Sequence, residues 1–418
     1  MREKIKHFIK SIQGSTVLAV LFTVYIIYLG SSAVSGVVES SKSYFQQEES
    51  SGLNGYIEMI NKQYEVMLAD EKDVPVLLNN GTYIDFCGLM AKLLGQTEIN
   101  GRFKLRDGVL IESSAKMTDE QLDLAFEQLC RLNDAQRQQG KYFVYVMAPS
   151  QMYESAELLP TGYTDRTEKQ MDVFVQKLRE AGIPVLDLRE KLEQQGISHK
   201  EAFFTTDHHW KPETGFWAYG QIIRFLSEEG VLSGVDEFYL DEKNYTFDVY
   251  EKSFLGSSGK RTGRYFAGLD DFCAIAPAYD TAITIEIESA NVLQTGRWED
   301  VSYKGDIIES LENKDFYNDN PYGRYGWGDR GLTLWSNENA PEKRKVMMIG
   351  ESFGNVPYSL MPLYMSECAE LDMRHFRKDF ETFYREYEAD IVILLTNARA
   401  VTTVNATYDF FGEHDDEL

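Results

Sequence analysis

Four short apolar runs punctuate this 418-residue chain, and the spacing between them limits the fold more than any other feature. They are KYFVYVMAP (141–149), IPVLDL (183–188), KVMMIG (345–350) and DIVILLT (390–396). Between the first two lies a helical pattern that puts Met171, Phe174, Val175 and Leu178 on one face and stops at Gly182. A second helical pattern separates the last two runs. Antiparallel hairpins need only a tight turn, whereas strand, helix and strand in succession imply a parallel crossover unit. A further helix is expected over roughly 119–138, just before the first run. The expected class is therefore α/β, with a parallel sheet. Residues 235–335 lack this rhythm and are rich in Gly, Asp and Tyr, so they read as a mostly β insertion.

Charge narrows the setting. The chain carries 42 Lys+Arg against 67 Asp+Glu, a net charge of −25. The first ten residues hold Arg2, Lys4, Lys6 and Lys10 against Glu3, which leaves 38 basic and 66 acidic residues for the rest. No charge occurs between Lys10 and Glu39. An acidic body repels phosphates, so nucleic acid is not an expected partner. Residues 16–38 suffice for a membrane-crossing helix, which takes about 20 apolar residues. The basic flank puts the tail 1–15 in the cytosol and the body outside. A signal peptide is the alternative, because Ser31, Ser32 and Ala33 follow the apolar core. Either way the body is exported. Residues 39–54, rich in Ser, Gln and Glu, read as a stalk. From 55 to 418 the chain reads as the extracytoplasmic domain, opening with Tyr56, Met59, Ile60, Tyr64 and Met67 on one helical face.

The four cysteines (Cys87, Cys130, Cys273, Cys368) are widely spaced and form no CxxC, so no metal site is expected from them. One disulfide or free thiols both fit.

Chemistry concentrates in two segments. In Thr206-Asp207-His208-His209-Trp210, an Asp two residues before a His can accept its Nδ1–H if the backbone turns sharply. Nε2 is then free to take a proton. Lys211-Pro212-Glu213-Thr214 follows as a helix start. An Asp cap with two surface histidines is the alternative. In Ile349-Gly350-Glu351-Ser352-Phe353-Gly354-Asn355, an apolar strand runs into a Ser on a strand-to-helix turn. That turn would expose Oγ at the carboxyl edge of the sheet, where open α/β folds place ligands. A plain turn with a capping Ser fits the same residues. Together the segments supply a nucleophile, a base and an orienting carboxylate.

These residues resemble the DHHW family of bacterial exported proteins and, through it, the SGNH-hydrolase-like alginate O-acetylation proteins. MAPSQMYESAELLP (147–160), DHHW (207–210), LGSSGKRTGRYFAGLDDF (255–272), MIGESFGN (348–355) and LDMRHF (371–376) carry the likeness, in that order. The resemblance implies an SGNH-like, flavodoxin-like parallel sheet with helices on both faces. It places the nucleophile on Ser352, the base on His209 and the orienting carboxylate on Asp207, with His208 and Trp210 beside them. Glu351 stands where the family has Asp, and Gln151 where a basic residue is common. It further implies a membrane-anchored O-acetyltransferase acting on an exported or cell-surface polysaccharide, without cofactor or metal. A membrane-bound O-acyltransferase would be the partner that delivers acetyl. An esterase with the same triad, or a non-catalytic glycan-binding or assembly component, are the alternatives.

Three further groups are candidates. Lys260, Arg261 and Arg264 form a basic cluster that would touch an anionic or acetylated glycan, or sit solvated on a hairpin. Phe316, Tyr317, Tyr322, Tyr325, Trp327 and Trp335 would stack on sugars or pack the insertion. Asn337, ahead of the nucleophile strand, would donate to an oxyanion or serve a turn.

Overall fold

Side chains alternate across a strand, so a run that is apolar at every position can be buried only between two layers. The computed structural model describes residues 20, 23, 24, 27, 80–112, 117–152, 158–159, 167–398, 400, 407, 408, 410 and 411. It opens with α1 (Asn80–Leu93) and the strands β1 (Glu98–Ile99), β2 (Arg102–Lys104) and β3 (Leu110–Glu112), which form a small antiparallel sheet. Next come α2 (Asp119–Gln138), β4 (Tyr142–Met147), α3 (Thr167–Glu180), β5 (Val185–Asp187), α4 (Leu188–Gln195) and α5 (Pro212–Glu228). The middle of the chain supplies β6 (Tyr245–Phe254), β7 (Asp270–Pro277), β8 (Ile283–Ile287), β9 (Val292–Gly296) and β10 (Thr333–Ser336). The last part is β11 (Glu342–Gly350), α6 (Asn355–Leu360), β12 (Met365–Leu371), α7 (Phe380–Tyr387) and β13 (Ile391–Thr396).

The four runs become β4, β5, β11 and β13. The main sheet has eight strands in the order β5-β4-β13-β11-β12-β10-β8-β9. Pairing is parallel from β5 through β12. It is antiparallel where β10, β8 and β9 are added. The expectation of a purely parallel sheet is thus corrected to a mixed one: the insertion donates its strands to one edge of the parallel core. The insertion is also less strand-rich than expected. It includes the separate β6–β7 ribbon and several short helical turns, such as Ser257–Thr262 and Ile307–Asn313.

Alternation along the strands builds two cores. Val144, Val146, Val346, Met348 and Ile393 face α5 and the α6 region. Phe143, Tyr145, Met347, Ile349 and Val392 face α2, α3 and α7. On α3 the buried residues include Met171, Phe174, Val175 and Leu178, the stripe that the periodicity marks. Each such side chain contributes about 1.5–3 kcal/mol when fully buried. Gly182, at φ +76°, lets the chain reverse from α3 toward β5.

The chain divides into two compact units, residues 1–87 and 88–418, and the sheet lies in the second. The basic tail 1–15, the stalk 39–54 and the helical face from Tyr56 to Met67 lie outside the described residues. So does 16–38, apart from Val20, Thr23, Val24 and Ile27, which are helical. No helix among the described residues is long and apolar enough to cross a membrane.

Candidate active site

The segment Phe203–Trp210 closes on itself as a tight loop. Phe203 bridges Trp210, and the Lys211 N–H donates to the Ala202 carbonyl at 2.9 Å. Within it Asp207 makes the sharp turn that the sequence requires: Oδ1 accepts the His209 backbone N–H at 3.0 Å and lies 2.5 Å from His209 Nδ1. Three distant segments hold this loop. Gln151 donates from Nε2 to the carbonyls of Phe204 and Asp207 at 3.0 and 2.7 Å. Asp270, at the start of β7, accepts from the backbone of Thr205 and Thr206 and from the Thr206 hydroxyl at 2.7–2.9 Å. The Ser257 N–H donates to Asp207 Oδ2 at 2.5 Å.

Gly256 permits that last approach. A Cβ there would stand 2.2 Å from the Asp207 Cβ and 2.4 Å from Oδ2. Gly256→Ala must therefore push Asp207 away from His209. Any reaction that relies on the Asp207–His209 contact is expected to slow by about 10²-fold, the scale of a 1 Å misplacement. Comparing kcat of the variant with its far-UV spectrum checks this, since the spectrum should be unchanged.

The second segment arrives from the sheet. β11 runs between β13 and β12 and ends at Gly350, so Ser352 emerges at the carboxyl edge of the parallel strands, in a single 3₁₀ turn (Ser352–Gly354) ahead of α6. There Ser352 Oγ lies 2.6 Å from His209 Nε2. One imidazole thus contacts Asp207 through one nitrogen and Ser352 through the other. Tyr322 stacks on the His209 ring at 4.3 Å and Phe353 lies 5.3 Å away, which fixes the ring's plane. Burial alone would raise the Asp207 carboxyl. The charges of His209 and His208, with the bonds to His209 and Ser257, outweigh it and hold Asp207 well below the ordinary carboxylate range.

Glu351 lies next to this pair. Its Oε2 is 3.2 Å from Ser352 Oγ and accepts the Phe353 N–H at 3.3 Å, while Oε1 is buried with no partner. Burial raises its carboxyl above the usual range, and the attraction of His209 and Arg374 does not cancel this. A neutral Glu351 avoids an unpaired buried charge. It ionises as pH rises, and a negative charge there opposes negative charge developing on the reacting oxygens. The rate is therefore expected to decline as pH rises through this raised ionisation. Glu351→Gln should flatten that decline, as a pH–kcat profile of both proteins would show.

The other expected site residues are dispersed. His208 lies 3.9 Å ring to ring from His209, with Nδ1 3.0 Å from the Ser257 hydroxyl and 3.5 Å from Asp207. Trp210 is fully buried against Phe353, in the core. Asn337 does not reach Ser352. It follows β10 and donates to the Pro362 carbonyl at 2.8 Å, at the end of the sheet opposite Ser352, because β10 runs antiparallel to β12. Lys260 is half-buried and donates to the Asp319 carbonyl at 2.5 Å. Arg264 lies over the Phe316 ring, and the Arg261 carbonyl accepts from Asn100. None of the three basic residues lines the cleft described next. Of the aromatic group, Tyr322, Tyr325 and Trp335 are buried, and Trp327 is half-exposed.

Ser352 and His209 open into a cleft of about 720 Å³ whose far wall is built from Lys304 and the segments 318–320, 322–324 and 327–330, with Arg374 beside them. Asn355, three residues after Ser352, is buried and also lines it. Among the described residues, two groups bring three metal-ligating atoms together. In Asp207, His208 and His209 those atoms contact one another, Ser257 and Ser352. In Asp329, Asp372 and His375, Arg374 already holds Asp372 through both carboxylate oxygens. The first arrangement can instead move a proton from a hydroxyl to an imidazole. Sequence reasoning missed Ser257, Asp270 and Gln151 as supports. Only Gln151 left a signal, as an unusual residue within a recognisable segment.

Residues 111–247 match the family described as the SGNH hydrolase-like domain of the acetyltransferase AlgX, a span that includes Asp207 and His209 and ends before Ser352. No curated protein sequence matches the chain. Among solved structures, Bacillus cereus PatB1 is 17% identical, with a TM-score of 0.60 over 73% of this chain and 97% of its own. A DHHW family protein from Eubacterium siraeum is 16% identical, with a TM-score of 0.54 over 76% of this chain and 98% of its own. Residues 111–247 are thus similar to the SGNH hydrolase-like domain of the acetyltransferase AlgX, and the chain shares its α/β fold with PatB1 and a DHHW family protein.

Proposed function

We propose that this chain is an O-acetyltransferase that uses Ser352 to carry acetyl to a hydroxyl of an exported or cell-surface polysaccharide. The observation that supports this most is the placement of His209, with Nε2 2.6 Å from Ser352 Oγ and Nδ1 on Asp207. His209 takes the Oγ proton as Oγ attacks the acetyl carbonyl of the donor. The tetrahedral intermediate collapses, and the donor's leaving oxygen receives that proton from His209. The glycan hydroxyl then gives its proton to His209 as it attacks the acetyl-serine ester. Collapse frees the acetylated sugar and returns the proton to Ser352. Asp207 stays ionised throughout and holds the imidazolium, and a positioned base of this kind contributes about 10²–10⁴-fold.

In this reading residues 16–38 anchor the protein with the body outside, where a membrane-bound O-acyltransferase delivers acetyl to it. One PatB1 structure holds a sulfonyl adduct. A sulfonyl fluoride is accordingly expected to label Ser352 here. The deciding experiment gives the purified protein an artificial acetyl ester with and without an oligosaccharide. Acetylated sugar supports the transferase. Acetate alone points to an esterase, and neither product to a binding or assembly component.

A further inference from the structure

We propose that one lobe of the molecule, remote from the cleft, rests on an anionic lipid surface. Leu93, Leu94 and Tyr265 enter the interface, and Lys92, Arg106 and Arg261 meet the headgroups. This goes beyond the acetyltransferase reading, which concerns Ser352 and its cleft.

The lobe is one packed unit. It joins the end of α1 from Gly88, the sheet β1–β3 and the short helices Ser257–Thr262 and Arg264–Ala267. Ala91, Leu110, Leu255, Phe266 and Ala267 form its core. A Cβ at Gly88 would stand 2.2 Å from the Thr262 carbonyl oxygen, so α1 and the short helices touch. Asn100 donates to the Arg261 carbonyl at 2.9 Å, and Lys104 to the Phe266 carbonyl at 2.5 Å.

Charge is the first observation. Residues 88–112 and 255–268 hold seven basic residues against three acidic ones, in a chain with 42 against 67. Two of the three acids are engaged: Glu112 pairs with Arg102 at 2.9 Å, and Asp107 with His199 at 3.0 Å. Only Glu98 of the three is exposed. Lys92, Arg106 and Arg261 are exposed and have no carboxylate partner among the described residues. Burial and repulsion from Lys92 hold the Lys104 ammonium below its usual range, which places these two cations near each other.

Exposed apolar surface is the second observation, and it is independent of charge. Leu93 and Leu94 are 64% and 62% exposed at the end of α1, and Tyr265 is 52% exposed. Single exposed apolar residues are ordinary. Two adjacent leucines and a tyrosine on one basic lobe are instead the pattern of an interfacial contact, in which apolar burial and attraction to anionic headgroups add. The lobe is also the first sizeable part of the described body after residues 16–38. Those residues anchor the chain in the reading above, so a bilayer is the surface that its tether offers. The helix that carries Arg261 begins at Ser257, whose N–H holds Asp207, and the Leu110 N–H donates to the Thr205 carbonyl at 2.9 Å. A lobe seated on lipid therefore fixes where the loop of Asp207 and His209 stands above the bilayer.

Hydrogen exchange of the full-length protein in lipid nanodiscs tests this. Discs of phosphatidylcholine alone are compared with discs that also contain phosphatidylglycerol, after isolating those that carry protein. Cosedimentation would not serve, because residues 16–38 would hold the chain on either lipid. In the anionic discs, peptides covering 89–98 and 260–268 are expected to exchange about tenfold slower, and the slowing should fade as salt rises. Each cation near an anionic leaflet favours contact about fivefold. Lys92→Gln/Arg106→Gln/Arg261→Gln should therefore lose about 10²-fold and exchange alike in both discs. Leu93→Ser/Leu94→Ser should lose part of the slowing. β9, at the far edge of the main sheet, is the internal control and should not change. Thermal melts of each variant exclude unfolding as the cause. Equal exchange in both discs, slowing that survives the triple variant, or equal slowing of β9 overturns the proposal. Slowed exchange in a protein that never transfers acetyl leaves the lipid surface standing and removes the acetyltransferase. Ser352-dependent transfer without slowed exchange removes the lipid surface alone.

Discussion

Ser352→Ala is expected to remove acetyl transfer almost completely, by roughly 10⁴- to 10⁶-fold in kcat, as loss of a nucleophile does elsewhere. The reason is local. Among the described residues, the Oγ 2.6 Å from His209 Nε2 is the one hydroxyl hydrogen-bonded to this imidazole, and alanine puts no oxygen there. The lost hydroxyl is only half-buried and touches Glu351 and His209, so stability should change by no more than about 1 kcal/mol. A melting curve beside a transfer assay therefore separates lost chemistry from lost fold. Retained transfer in this variant would remove the acyl-enzyme from the account.

Asp207→Asn should be nearly as damaging, on the order of 10³–10⁴-fold, although it preserves shape. Asp207 accepts three donors: His209 Nδ1–H, the His209 N–H and the Ser257 N–H. An amide oxygen can replace only one of the two carboxylate oxygens. If it faces His209, the amide NH₂ confronts the Ser257 N–H. If it faces Ser257, the NH₂ confronts His209 and drives the ring to the tautomer that cannot take the serine proton from Nε2. Stability follows the same geometry. The folded state holds Asp207 ionised far below its unfolded value, so its contribution is present above about pH 4 and lost as pH falls further. Asp207→Asn should be destabilised at pH 7 and lack that share of the acid-side decline. Denaturant titrations at pH 7 and pH 3 of both proteins would measure this.

What could be read in the sequence was local. Asp207 and His209 meet because they are two residues apart in one turn, and Ser352 reaches the carboxyl edge of the sheet because it stands two residues after an apolar strand. The parallel core was legible for the same reason: β4, β5, β11 and β13 are buried on both faces and need no partner to be recognised. The mixed edge was not. β8, β9 and β10 acquire their places from pairing across long stretches of chain, which no local pattern encodes. Asn337 serves a turn, the second of its two readings: its Oδ1 accepts the Asn339 N–H at 2.9 Å, and nearness to Ser352 in sequence became opposite ends of the sheet. The cluster Lys260, Arg261 and Arg264 was conspicuous because its charges are adjacent, yet adjacency gives no direction, and the Lys260 and Arg264 side chains turn to the Asp319 carbonyl and the Phe316 ring. Lys304 and Arg330 are separated in sequence and come to line one cleft only through the fold. Gly256, Ser257 and Asp270 were hidden likewise, since each acts on a loop more than 45 residues away.

The central claim is that Ser352 carries the acetyl group between donor and sugar. Its most direct test is to mix the protein with an acetyl ester, quench with acid, digest and locate the added acetyl by mass spectrometry. The expected result is acetyl on the peptide containing Ser352, absent from Ser352→Ala. On chasing with oligosaccharide before the quench, it should disappear as acetylated sugar appears. Acetylated sugar formed with no acetyl ever found on Ser352, or formed equally well by Ser352→Ala, would contradict it.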